Sequence, residues 1–186
     1  IGASIFTFQE THHDKLNLHT NGIIRKSARK IWRDQHSFCY IATASSSSPV
    51  PTFTRAGGVM TGITGNLYGR IRSKVEDVYG RWCGFHLLGK DGKEIFILTA
   101  YNVSQTERTG NDTLYNQQQA QYLLHYNTKK LTCNKDQYID PKKRFVHDLT
   151  ILLKDIAHSG HDIILTGDFN EIIGDSHNHL TLALLD

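Results

Sequence analysis

The sequence predicts a mixed α/β domain, and three segments carry that prediction. Ile5-Phe6-Thr7-Phe8-Gln9 is β-rich and reads as a buried strand. Two β-rich runs, residues 79–88 and 94–100, flank Gly89-Lys90-Asp91-Gly92, which has the composition of a hairpin turn. After Pro141, Phe145, Leu149, Leu152, Leu153 and Ile156 recur at helical spacing; Ser159-Gly160 stops that helix, and residues 162–166 follow as another buried strand. Strand, helix, several strands, two helices and a strand is the order of a mixed domain with hairpins, not of a regular βαβ series.

The remaining elements fall in between. The first strand runs into Glu10-Thr11 and then polar His12-His13-Asp14. Residues 22–33 carry Ile23, Ile24, Ala28 and Ile31-Trp32 among Arg and Lys, the pattern of an amphipathic helix with a basic outer face. Residues 37–43 read as a short strand and residues 45–51 as a Ser/Pro loop. Gly57-Gly58 and Gly62 mark residues 57–63 as a strand against which another segment packs closely. Gly65-Asn66 supplies a turn, and the Gln-, Leu- and Tyr-rich residues 113–130 read as a helix.

Composition bounds what such a domain can be. The chain has 186 residues, 39% hydrophobic and 21% charged, a balance that excludes disordered and fibrous classes and permits a single domain with a substantial core. No apolar run approaches the roughly 20 residues that cross a bilayer, so no membrane partner is expected. Cys39, Cys83 and Cys133 are scattered, which argues against a disulfide framework or zinc site and favours a reducing compartment, cytoplasm or nucleus. A net charge of +3 is compatible with nucleic acid without demanding it. The chain opens at Ile1 almost directly into a strand and closes inside a Leu-rich segment (Leu180, Leu182, Leu184, Leu185), so it is expected to be a piece of a longer domain.

Two places carry chemistry, each with a carboxylate just beyond a strand, where α/β folds tend to build their sites. The first is Gln9-Glu10-Thr11; taken alone, it reads more readily as a solvated turn glutamate. The second is Gly167-Asp168-Phe169-Asn170. In extended backbone Asp168 and Asn170 project the same way, with Phe169 turned into the core. An anionic acceptor beside an amide that both donates and accepts suits holding a water against a phosphate. The alternative is an Asx turn after a strand.

Taken together, Phe8-Gln9-Glu10-Thr11-His12, Leu98-Thr99-Ala100-Tyr101 and Leu165-Thr166-Gly167-Asp168-Phe169-Asn170-Glu171 resemble the endonuclease/exonuclease/phosphatase family, in the family's order and across nearly the whole chain. The text of residues 167–174 and its Leu-rich continuation looks most like the endonuclease domains of non-LTR retrotransposons. The resemblance implies a four-layer α/β sandwich, two mixed sheets packed together with helices outside. It implies that Glu10 binds Mg2+, with Mn2+ the possible substitute, and that the metal polarises a phosphate oxygen. Asp168 would orient or deprotonate the attacking water, Asn170 would hydrogen-bond that water or the phosphate, and Tyr101 would steady the phosphate from the side. A nuclease of this kind leaves a 3′ hydroxyl and a 5′ phosphate. Departures are also evident. Family members carry an upstream Asn and a terminal Asp followed by Ser-Asp-His, for which no counterpart is present. Where nucleases have an Asn three residues after the tyrosine, Ser104 stands; Asn102 follows Tyr101 directly and has no assigned role. The expectation is therefore a parent nuclease domain and an impaired piece.

Three functions are in contention: a DNA-nicking endonuclease, a phosphatase or phosphodiesterase of the same fold acting on inositol phosphates, lipids or small nucleotides, and a non-catalytic remnant that binds nucleic acid or nothing. Other features read more plainly. His177 and His179 lack a third ligand, Gly62-Ile63-Thr64-Gly65 lacks the Lys-Ser/Thr of a phosphate loop, and the Arg and Lys residues of 25–33 are as readily a solvated helix face as a DNA track. Lys142-Lys143-Arg144 is a charged helix start whose cations oppose the helix dipole.

Overall fold

Val59–Ile63 is buried at every residue, as a strand must be when it pairs on both sides and packs on a second sheet. It is the third strand, β3, of a computed structural model that describes residues 4–12, 22–23, 26–27, 30, 40–44, 56–104, 113–128 and 140–171. β1 (Ile5–Gln9) and β2 (Tyr40–Ala44) flank it, both antiparallel, in the order β1-β3-β2. The predicted close packing is real. A Cβ on Gly62 would lie 1.9 Å from the Phe6 ring, so only glycine lets that ring cross the strand. Of the expected basic helix, residues 22, 23, 26, 27 and 30 are described; all are helical and exposed. The 45–51 loop, His13, His177 and His179 lie outside the described residues.

The second sheet has the order β4-β5-β6-β7. The predicted hairpin is its centre: β5 (Trp82–Leu88) and β6 (Glu94–Tyr101) are antiparallel, joined by a 3-10 turn in which Asp91 and Gly92 take positive φ of 58° and 78°. Residues 79–81, expected in the first arm, instead belong to a turn from β4 (Ile71–Glu76), a strand the sequence reading did not resolve. A register shift between Ile71 and Ser73 breaks the alternation that would have revealed it. β7 (Asp162–Asp168) pairs in parallel with β6. Parallel neighbours need a long crossover, supplied by two helices, α1 (Leu114–Thr128) and α2 (Pro141–His158).

Alternation along β6 builds two cores. Ile97 and Tyr101 face the first sheet, joining Ala42, Val59, Ile63, Cys83, Phe85 and Leu87. Leu98 and Ala100 face α2, joining Trp82 and the predicted stripe Phe145, Leu149, Leu153 and Ile156. The molecule is thus an α/β fold of two sheets, one antiparallel and one mixed, with helices. β1 and β7 are edge strands among the described residues and not the buried strands expected. Each has one open side, leaving Phe8 48% and Ile164 45% exposed. No described helix is long and apolar enough to cross a membrane.

Arg81 ties the second sheet to both helices. Its buried guanidinium donates to Asp77 (2.8 and 3.0 Å), to Asp148 on α2 (2.9 Å) and to the Tyr122 hydroxyl on α1 (3.1 Å), and it lies over the Trp82 ring. The α1 face that carries Tyr122 is unusual: it buries Gln117, Gln118 and Gln121 as well and exposes Leu123 and Leu124.

Candidate active site

The carboxyl ends of β1 and β7 are the two places the sequence singled out, and the fold sets them on facing sheets. Gln9, last in β1, donates from Nε2 to Thr99 Oγ1 on β6 at 2.9 Å and so spans the gap. Glu10 follows in left-handed backbone (φ 50°), as does His12 (φ 49°). For non-glycine residues such conformations persist only where surrounding contacts hold them. Here the Thr11 and His12 amides donate to the Gly58 and Gly57 carbonyls at 3.1 and 2.8 Å. The result aims the exposed Glu10 carboxylate across the crevice, where the Tyr101 hydroxyl donates to its Oε1.

Tyr101 ends β6 with its ring buried in the inter-sheet core, in register with Asp168 on β7. Its amide donates to the Arg81 carbonyl at 2.8 Å, which carries the strand one residue past the regular ladder. Burial raises its phenol well above the ordinary tyrosine range, the Glu10 hydrogen bond and charge add to this, and a hydrogen bond from Asn170 opposes it. Tyr101 is therefore a neutral donor at any working pH.

Gly167 precedes the acidic residue because the backbone demands it. With φ at 153°, a Cβ there would lie 2.0 Å from the Ala100 carbonyl oxygen. Beyond it the chain does not stay extended. Asn170 is left-handed (φ 49°) and its amide donates to Asp168 Oδ1 at 3.0 Å, an Asx turn. The expectation that Asp168 and Asn170 project in parallel from extended backbone is thus corrected. The turn brings them together by folding back, with Phe169 against the α2 core as expected.

Asn102 supplies what the sequence could not show. Its amide donates to the Asp168 carbonyl at 2.9 Å, and its own carbonyl accepts from Asn170 Nδ2 at 2.5 Å. Both Asn170 donors are thereby directed at protein, one to Asn102 and one to Tyr101, which leaves Oδ1 as an acceptor. These links run through main chain, so residue type gave no signal of them. Thr99 was legible only as part of a motif; it shares the Tyr101 face by alternation.

The four predicted residues Glu10, Tyr101, Asp168 and Asn170 therefore converge on one crevice. Among the described residues, the site atoms without a hydrogen-bond partner are oxygens: Glu10 Oε2, Asp168 Oδ2 and Asn170 Oδ1. Among the described residues no three His, Cys, Asp or Glu side chains cluster as a metal cage. Two exposed carboxylates in an all-oxygen setting fit a hard cation that keeps most of its waters, and do not fit zinc.

The sequence matches the Endonuclease/Exonuclease/phosphatase family over residues 1–185, and the chain belongs to that family. The family comprises hydrolases of phosphoester bonds, generally dependent on a divalent metal. Among solved structures, Staphylococcus aureus beta toxin (275-280) is similar at 12% identity and a TM-score of 0.53, covering 99% of this chain and 58% of the toxin. A β-hairpin deletion mutant of beta toxin from the same organism gives 12% identity and a TM-score of 0.41, covering 98% and 58%. The likeness is one of fold, and the chain spans a little over half of those proteins. No curated protein matches it.

Proposed function

We propose that the chain is the hydrolytic domain of a magnesium-dependent phosphodiesterase that nicks DNA. The observation that carries the reading is the convergence of Glu10, Tyr101, Asp168 and Asn170 at facing strand ends, held by the Tyr101–Glu10 and Asn170–Asn102 hydrogen bonds. Asp168 Oδ2 takes a proton from the attacking water, while Asn170 Oδ1 accepts the water's second hydrogen and fixes its orientation. Glu10 Oε2 would hold the cation, whose chemistry is to polarise a phosphate oxygen and steady the leaving oxygen. Tyr101 keeps the Glu10 carboxylate pointed inward. The text of residues 167–174 and its Leu-rich continuation supports a non-LTR retrotransposon endonuclease as the parent.

Nicking of supercoiled plasmid with and without magnesium tests this, beside Glu10→Ala and Asp168→Ala. Each change is expected to lower the rate by about 10²-fold or more. Magnesium-dependent cleavage of a small diester, with plasmid left intact, would favour a phosphodiesterase of the same fold acting on small nucleotides or lipids. Folded protein that cuts neither would overturn the hydrolytic reading.

A further inference from the structure

The crevice presents a polyanion with two exposed carboxylates, Glu10 and Asp168, and no described residue in it is cationic. A nucleic-acid substrate needs positive charge close by. The first turn of α2 supplies it. That helix ends at His158, and only three residues separate it from β7. The 18-residue helix is roughly 27 Å long and the seven-residue strand roughly 23 Å, so a helix that doubles back along the strand has its start near the level of Asp168. Phe169, between Asp168 and Asn170, packs against the same cluster as Phe145 and Val146, one turn into α2.

We propose that Lys142 and Lys143 form a second phosphate-binding station beside the hydrolytic crevice, for the sugar-phosphate backbone of DNA. This rests on the phosphodiesterase reading above and names the substrate class as a polymer. Lys142 lies three and four residues before the buried Phe145 and Val146, on the sheet-facing side, and is itself half-buried. Helical side chains lean toward the N-terminus, so its ammonium projects past the helix start, toward the strand ends. Lys143 beside it is exposed. Arg144 is already paired with Asp148 at 2.9 Å, whereas Lys142 and Lys143 have no carboxylate partner among the described residues. Asp140, just before them, caps the helix through Oδ1, accepting from the Lys142 amide at 2.9 Å and the Tyr115 hydroxyl at 3.4 Å. Cations at a helix start work against its dipole, so helix stability is no reason to keep them. A substrate with one phosphate would end at the crevice; one that reaches this station as well carries a run of phosphates.

Binding of a fluorescein-labelled DNA duplex, followed by anisotropy over a salt series in EDTA, tests the station. Each phosphate contact contributes about 0.9 to the slope of log K against log salt, so Lys142→Gln/Lys143→Gln is expected to reduce the slope by roughly 1.8. Lys90→Gln/Lys93→Gln, at the opposite end of the sheet, leaves it unchanged. Hydrolysis of bis(4-nitrophenyl) phosphate stays at the wild-type rate in the Lys142/Lys143 variant while KM for plasmid rises several-fold. An unaltered slope, an equal loss from the Lys90/Lys93 control, an equal loss on the small diester, or no DNA binding by wild type overturns the proposal. Wild type that binds DNA but hydrolyses neither substrate sinks the phosphodiesterase reading alone, because the slope comparison still decides the station.

Discussion

Tyr101 does two jobs with one side chain. Its ring belongs to the inter-sheet core and its hydroxyl fixes Glu10. Tyr101→Phe keeps the first and removes the second. Its expected outcome is a fall in plasmid nicking of roughly 10²-fold with little change in Tm, measured side by side. One of the tyrosines whose absorbance titrates above the ordinary range should vanish with it, because burial and Glu10 both raise that phenol. The four candidate residues that the structure brings together were legible in the sequence because each sits at a strand end beside a recognisable turn or motif. What was not legible is how they are aimed. Asn170 reaches its place through left-handed backbone, and Asn102 acts through its amide and carbonyl, which every non-proline residue possesses.

The same division holds for elements. Helix α2 was readable because its apolar stripe, its proline and its stop signal agree. Strand β4 was not, because a bulge hides its alternation, and α1 was readable as a helix but not by face, because its buried side is made of glutamines. On that face Tyr122 accepts from Arg81, forty-one residues away in sequence. Replacing Arg81 with Ala leaves Asp77 and Asp148 beside a missing cation at side-chain exposures of 5% and 15%. Breaking a buried pair in this way is expected to cost about 3–5 kcal/mol, read as a drop in the urea midpoint. Because the cluster joins both helices to the β4–β5 turn, far-UV and near-UV signals should fall in one transition.

For the whole molecule, titration sets the limits of stability. Burial, partly offset by Arg81, raises the Tyr122 and Tyr79 phenols, and burial with Glu10 raises Tyr101. The folded state therefore keeps protons that the unfolded chain releases above about pH 10, so stability is flat below that pH and declines above it. At the acid end the sign reverses. Burial alone would raise Asp148, but the Arg81 charge and hydrogen bonds from His147, Arg81 and Arg144 outweigh it and hold the carboxyl low. Its contribution is complete above about pH 4 and is lost below. Urea midpoints from pH 3 to pH 11 should trace both limbs, and Asp148→Asn should flatten the acid one.

The crevice also behaves like the jaws of a caliper. Glu10 rides on the first sheet; Asp168, Asn170 and Tyr101 ride on the second. Two to three residues below them, the sheets are joined where Thr61 Oγ1 donates to the Cys83 carbonyl at 3.3 Å and Cys83 Sγ donates to the Ala42 carbonyl at 3.4 Å. A misplacement near 1 Å is enough to lower a rate by about 10²-fold. A bulkier side chain at Cys83, which touches no reacting atom, therefore spoils the alignment of the jaws, and a lesion deep in the core is felt as a loss of chemistry at the rim.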